Sequence, residues 1–344
     1  MISVLIPTAN RPDFLKHSIA SVVNQSRLDL IREIIVSDNG SIDVSDVVSG
    51  FRNASYSFPI HYVKQVPQLT AGLHFKELLC RASSEWVAML ADDDMWGRYH
   101  LEEACRLLKK HTEAIAVFGQ TICVRNSFRQ PIGCIGELIH SFSGSDSQPF
   151  DDAFVFKQGE IFIDALIRTP LDIWAMVVKR EAIERHISVL SDPNAGADSD
   201  RFFLWRLNTE GAIVVTREVG LYLRLHDGMA GALMRGRESQ KFLEISKAYS
   251  LKIIEEARQE GIPVQEKWAE FWGHLSIEAK QMLISQSCND HLLVACNAFG
   301  DQLPSSGQQQ GVKAFVTRVV KDILPPFVYR LILKPCVKSL KSRN

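Results

Sequence analysis

Short apolar runs dominate the first 125 residues, each stopped by a turn-forming or acidic residue. Ser3-Val4-Leu5-Ile6 ends at Pro7, and Glu33-Ile34-Ile35-Val36-Ser37 ends at Asp38-Asn39-Gly40-Ser41. Glu85-Trp86-Val87-Ala88-Met89-Leu90 runs into Asp92-Asp93-Asp94. A weaker strand signal lies at His61-Tyr62-Val63, and a further one over 114–124. Between these runs, segments 14–25, 73–82 and 101–111 carry apolar side chains at helical spacing. Continuous apolar strands alternating with helices predict an α/β fold, a mostly parallel sheet covered on both faces. Ligands of such sheets bind beyond the carboxyl ends of the strands. Thr8 and Asn10, Asp38 and the aspartate triplet therefore fall on one edge.

The remainder is less regular. Residues 125–160 mix Gly, Ser, Asp and Pro and read as a long functional loop or a poorly ordered insert. Residues 171–186 read as a strand or a helix pair, 200–211 as a helix closed by Gly211, and 212–216 as a strand. From 238 to 287 the pattern is helical with a break at Gly261-Ile262-Pro263, and 305–311 is a polar linker.

Composition excludes several classes. Apolar residues are 46% and charged residues 23%, which rules out collagen-like, disordered and disulfide-scaffold chains. A formal net charge of -1 gives no whole-chain footprint for nucleic acid. The charge is uneven, though: segment 312–344 carries eight Lys and Arg against Asp322, so it is +7 and the rest is -8. The same segment holds Phe315, Val319, Ile323, Phe327 and Leu331, the pattern of a basic amphipathic helix that lies on an anionic bilayer, broken at Pro325-Pro326. A C-terminal helix packed on the body with a solvated Lys face is its other reading. None of the seven cysteines has C-x-x-C spacing, and no window reaches 18 uninterrupted apolar residues. A cytoplasmic setting with reduced thiols is the expectation, peripheral to the inner face of the membrane through 312–344.

Three adjacent carboxylates at 92–94 repel one another unless they are solvated or hold a cation. At the end of a buried strand they offer hard oxygen ligands suited to Mg2+ or Mn2+, which in turn holds phosphate oxygens. A solvated turn with a helix cap at Asp94 is the bland alternative. Asp38 has two readings as well, an Asx-turn residue or an acceptor for a nucleotide ring N–H.

The run from Ser3 through Pro7-Thr8-Ala9-Asn10-Arg11, the run Ile34 to Ser41, and Trp86 to Asp94 together resemble glycosyltransferase family 2. The resemblance continues at Asp198-Ser199-Asp200-Arg201-Phe202 and ends at Arg224-Leu225-His226, covering residues 1 to about 230. It implies a GT-A fold over 1–232 followed by a helical extension over 233–344. It implies Pro7, Thr8 and Asn10 lining a nucleoside pocket, Arg11 near the phosphates and Asp38 accepting from a pyrimidine N3–H. Asp92 and Asp94 take the places of an Asp-x-Asp metal motif, with Asp93 as an alternative direct ligand. Asp200 takes the place of the catalytic base, and His226 completes the metal shell or touches the diphosphate. Two departures matter. Ala91 stands where many relatives have Asp, which leaves open which two aspartates bind metal. Gly72-Leu73-His74-Phe75 stands where relatives place Asn, so His74 takes that role.

The expected activity is inverting transfer of a sugar from a UDP- or dTDP-linked donor to a hydroxyl of a glycan or lipid-linked acceptor, with Mn2+ or Mg2+, in cell-surface polysaccharide synthesis. A metal-dependent nucleotidyl transferase is the nearest enzymatic rival, but the chain has neither a G-x-x-x-x-G-K-[ST] nor a G-x-G-x-x-G string. A non-catalytic nucleotide-sugar-binding subunit is the rival of another class. Trp174 is a candidate acceptor-stacking residue or a core residue.

Overall fold

The computed structural model describes residues 1–125, 131–135, 153–167, 171–191, 199–226, 239–274 and 290–300. In chain order the first part contains β1 (Ile2–Thr8), α1 (Pro12–Val23), β2 (Ile31–Asp38), α2 (Ser45–Arg52), β3 (Ile60–Lys64), α3 (Ala71–Cys80) and β4 (Trp86–Met89). Then come β5 (Met95–Trp96), α4 (His100–Lys110), β6 (Ala114–Arg125), β7 (Pro131–Ile135), β8 (Ala153–Phe156), α5 (Phe162–Ile167) and β9 (Met176–Lys179). The last elements are α6 (Arg180–Ser191), α7 (Ser199–Glu210), β10 (Ala212–Leu225), α8 (Ser239–Gln259), α9 (Val264–His274) and α10 (Asp290–Phe299).

The strands form a single sheet in the order β3-β2-β1-β4-β9-β6-β10-β5, with β7 on β6 and β8 on β10. Its first half is parallel, as the alternating pattern predicts: β1 pairs with β2 and β4, and β2 with β3. The second half is mixed. β9 lies antiparallel between β4 and β6, and β5, β7 and β8 pair antiparallel with their neighbours. The stretch expected to be a loop or insert over 125–160 contributes β7 and β8, while 136–152 lies outside the described residues. Neither strand is flanked by a long apolar run, so its periodicity is too short to read. Residues 171–186 resolve into a strand followed by a helix, not a helix pair. β10 continues well past Thr216, to Leu225.

Pro7 sits in β1 without breaking a central ladder, because β1 pairs with β4 only as far as Leu5↔Met89. Helices cover both faces. One buried cluster holds Ile6, Leu15, Ile19, Val48, Leu101 and Leu107, from β1, α1, α2 and α4. The other gathers Leu78, Val178, Ile183, Phe203 and Trp205 on the opposite face, together with Ile253, Ala257 and Trp268 from α8 and α9. The C-terminal helices therefore share a core with the sheet. Arg201 and Glu256 add polar ties: Arg201 Nη1 donates to the Ala165 and Leu166 carbonyls and to Ser250 Oγ, and Arg206 Nη2 meets Glu256 Oε1 at 2.5 Å. Among the described residues no helix is long and apolar enough to cross a membrane. The basic tail 312–344 lies outside them.

Candidate active site

The parallel registers Thr8↔Asp38 and Leu5↔Met89 bring the ends of β1 and β2 beside the turn that follows β4. Asp92 reaches back across that edge. Its Oδ2 accepts from Thr8 Oγ1 at 2.8 Å and from the Ala9 N–H at 3.2 Å, and its Oδ1 meets Arg11 Nη1 at 3.0 Å. Asp93 Oδ2 lies 2.6 Å from the same Arg11 nitrogen and 3.0 Å from His226 Nε2. Burial pushes the Asp92 carboxyl up, Arg11 pulls it down, and the Asp93 charge pushes it up again. Burial also disfavours the charge on Arg11, but Asp93 and Asp92 more than offset it and hold the guanidinium protonated.

Asp94 turns the other way. It is 1% exposed, and its Oδ1 accepts the Arg224 backbone N–H at 2.8 Å. Burial, then the neighbouring Asp93 charge, holds its carboxyl well above the usual range. The antiparallel pairs Leu221↔Trp96 and Tyr222↔Met95 deliver Arg224 and His226 to this turn. Arg224 stacks on Phe14 at 4.4 Å, and His226 packs on the same ring at 4.9 Å.

The residues expected on the nucleoside side fall into two groups. Asn10, at φ 60, is a clamp: its Oδ1 accepts from the Ser41 and Ile42 N–H groups at 2.7 and 2.8 Å. Gly40 fits against it because a Cβ there would lie 2.5 Å from the Asn10 nitrogen. Asp38 is 0% exposed. Its Oδ1 accepts from the Gly40 N–H, and its Oδ2 from Tyr62 Oη at 2.9 Å and Lys64 Nζ at 2.7 Å. Pro7 is partly buried one residue before Thr8. His74 lies next to this group, behind Ser37. It is buried on α3 with Nε2 on the Ser37 carbonyl at 3.1 Å and Ser37 Oγ at 2.8 Å, and burial lowers its basicity. Asp200 lies in the first turn of α7, partly buried, just after a stretch outside the described residues.

Three residues were not singled out by sequence. Lys64 and Tyr62 cover Asp38 because the β2–β3 register sets Asp38↔Lys64 and Val36↔Tyr62, a cross-strand relationship that a single strand does not display. Asp172 precedes the short 3-10 turn Ile173–Ala175 and accepts the Trp174 N–H at 3.0 Å. The pair Ala88↔Val177 runs β9 back along β4, so 172–175 reaches the same edge as 91–94. Burial raises the Asp172 carboxyl to about 6. Trp174 packs tilted on Phe75 and its carbonyl accepts from Trp96 Nε1 at 2.9 Å.

A divalent ion fits this donor set. One cationic nitrogen already sits between carboxylate oxygens of Asp92 and Asp93, the geometry in which two carboxylates share a cation. Among the described residues no group of three or more His, Cys, Asp and Glu converges as a full cage. Two carboxylates completed by water and phosphate oxygens are the usual arrangement for Mg2+.

Residues 3–153 match the family model described as glycosyl transferase family 2. A 95-residue stretch is 33% identical to abequosyltransferase RfbV of Salmonella typhimurium, covering 27% of this chain and 28% of that protein. A 182-residue stretch is 22% identical to TuaG of Bacillus subtilis, named for teichuronic acid biosynthesis, covering 53% of this chain and 63% of that one. The matched stretches thus span under two thirds of either relative. Staphylococcus aureus TarS 1–349 with UDP-GlcNAc superposes with a TM-score of 0.55 at 14% identity, over 96% of this chain and 84% of that 1–349 fragment. The mannosyltransferase PcManGT of Pyrobaculum calidifontis, with GDP-Man and Mn2+, gives 0.54 at 14% identity, over 100% of this chain and 88% of that one. At such identity these two speak for the fold. Residues 3–153 thus carry the likeness to glycosyltransferase family 2, and the architecture shared with these two structures is the GT-A fold.

Proposed function

We propose that the chain moves a sugar from a nucleotide-linked donor, UDP- or dTDP-linked, to a hydroxyl of a glycan or lipid-linked acceptor, in cell-surface polysaccharide synthesis on the cytosolic face of the membrane. The carrying observation is the paired carboxylate of Asp92 and Asp93 around one cation, at the edge where Thr8 and Asp38 also end. The names of RfbV and TuaG, and the nucleotide sugars held by the two structural neighbours, support the reading.

Manganese or magnesium on Asp92 and Asp93 would supply Lewis-acid stabilisation of the diphosphate as it gains charge. Thr8 and Ala9 fix Asp92, and His226 fixes Asp93, so both carboxylates are oriented before a donor arrives. Asp38 orients Lys64 and Tyr62, which would stand beside the base. The acceptor oxygen attacks the anomeric carbon while the bond from that carbon to the diphosphate oxygen breaks, its electron pair leaving with the diphosphate. Asp200 takes the hydroxyl proton, a contribution of roughly 10²–10⁴ in rate. A single displacement inverts the anomeric centre.

The test is a thermal-shift screen of the full chain against nucleoside diphosphates and nucleotide sugars, with and without Mn2+. Binding to the native state raises the melting temperature by mass action. The reading expects at least one nucleotide to do so, and more strongly with Mn2+. A flat response across the panel contradicts it.

A further inference from the structure

We propose that Arg11 is a resident counter-cation of the Asp92–Asp93 pair, competing with the divalent ion for the same oxygens, so that the free ion binds weakly until a diphosphate draws the guanidinium away. This rests on the assignment of Asp92 and Asp93 as metal ligands.

The geometry is specific. A single nitrogen, Nη1, lies 3.0 Å from Asp92 Oδ1 and 2.6 Å from Asp93 Oδ2. Those oxygens belong to different residues, and the point between them is where an ion would bridge them. A guanidinium nitrogen and a metal ion cannot both occupy it. The two carboxylates are nearly buried, with side-chain exposures of 6% and 13%, so without a cation they would repel each other in a poorly hydrated turn. Arg11 removes that cost in the resting protein.

The side chain also reaches solvent. Its exposure is 29%, against 6% for Asp92. The backbone beneath it is held, by the Asn10 clamp on one side and by Pro12 at the start of α1 on the other. Exchange is therefore a movement of the side chain over a held backbone. A diphosphate beside the aspartate pair gives the released guanidinium a bidentate partner. Metal and diphosphate then assist one another: the ion takes the carboxylates, and the phosphate takes the arginine. By linkage each raises the affinity of the other.

Titration of the full chain with Mn2+ alone, followed by the loss of the free-ion electron paramagnetic resonance signal, tests the competition. Arg11→Gln removes the internal cation and is expected to bind Mn2+ about 5-fold tighter or more than wild type, within the usual range of such couplings. Arg11→Lys, which keeps a charge but loses the planar fork, is expected to fall between them. Unchanged or weaker Mn2+ binding in a folded Arg11→Gln protein overturns the proposal. Asp93→Asn, measured alongside, separates the two readings. If it loses Mn2+ while Arg11→Gln gains nothing, the site stands and the competition is wrong. If it binds as wild type does, the ion sits elsewhere and both readings fall.

Discussion

Thr8 Oγ1 donates to Asp92 Oδ2 at 2.8 Å, across a sequence separation of 84 residues. This bond joins the last residue of β1 to the turn after β4, and it presets the orientation of a carboxylate that is 5% exposed. Thr8 is itself buried, so replacement by Val keeps the volume and removes the donor. Thr8→Val is expected to lower the unfolding free energy by about 1–3 kcal/mol, the range for a buried acceptor that loses a partner. Urea denaturation of the two proteins measures it; superimposable curves would mean that the bond contributes nothing.

Asp93 and Asp94 are adjacent but are expected to respond differently to the same change. Asp94 uses its oxygen as an acceptor for the Arg224 N–H, and an amide oxygen does this equally well. Its carboxyl is raised in the fold, so its charged form weakens the native state at neutral pH. Asp94→Asn is therefore expected to melt at or above the wild-type temperature near pH 7.5 and to keep Mn2+ binding. A loss of Mn2+ equal to that of Asp93→Asn would make Asp94 a ligand.

Asp172 gives a pH signature. Its folded value of about 6 lies above the ordinary aspartate value of 3.8, so the unfolded chain loses this proton first as pH rises. Stability attributable to this group thus falls between about pH 4 and pH 6 and is level above that. Asp172→Asn retains the cap on the Trp174 N–H and has no proton to lose. The variant is expected to gain about 1–3 kcal/mol over wild type at pH 7.5, with the gain shrinking towards pH 4. Denaturation curves of both proteins across that range check the difference; a gain independent of pH would assign it to another cause.

Gly97 marks the approach of β5 to β10. A Cβ there would lie 1.9 Å from the Val219 carbonyl oxygen, a backbone atom that cannot move aside alone. Gly97 N–H also donates to the Gly220 carbonyl at 3.1 Å. Gly97→Ala is expected to destabilise the protein by roughly 1–3 kcal/mol, as overpacking does, and to weaken Mn2+ binding, because β10 carries Arg224 and His226 to the aspartates. Wild-type urea midpoints and Mn2+ titration would refute it.

The parallel half of the sheet was legible because its strands are buried on both faces and so read as unbroken apolar runs ending in polar clusters. Thr8 and Asp92 come together as the order of those clusters suggested, and Arg11, Asp93 and His226, named through the family resemblance, join them. β5 was hidden by its two-residue length, and β8 by a neighbourhood of Gly, Ser and Asp. Lys64 over Asp38, and Asp172 beside the 91–94 turn, depend on register between strands far apart in sequence, which no local pattern encodes. His74 is a further case. Its place against Ser37, one residue before Asp38, depends on how α3 packs on β2, which no local pattern encodes.

The most direct measurement is a crystal structure of the full chain grown with a nucleoside diphosphate and Mn2+, with anomalous differences collected at the manganese edge. The account predicts an anomalous peak between the Asp92 and Asp93 carboxylates, a diphosphate oxygen on the ion, and Arg11 turned towards the phosphates. A diphosphate bound with manganese absent from that turn, and Arg11 still seated between the two aspartates, would contradict it.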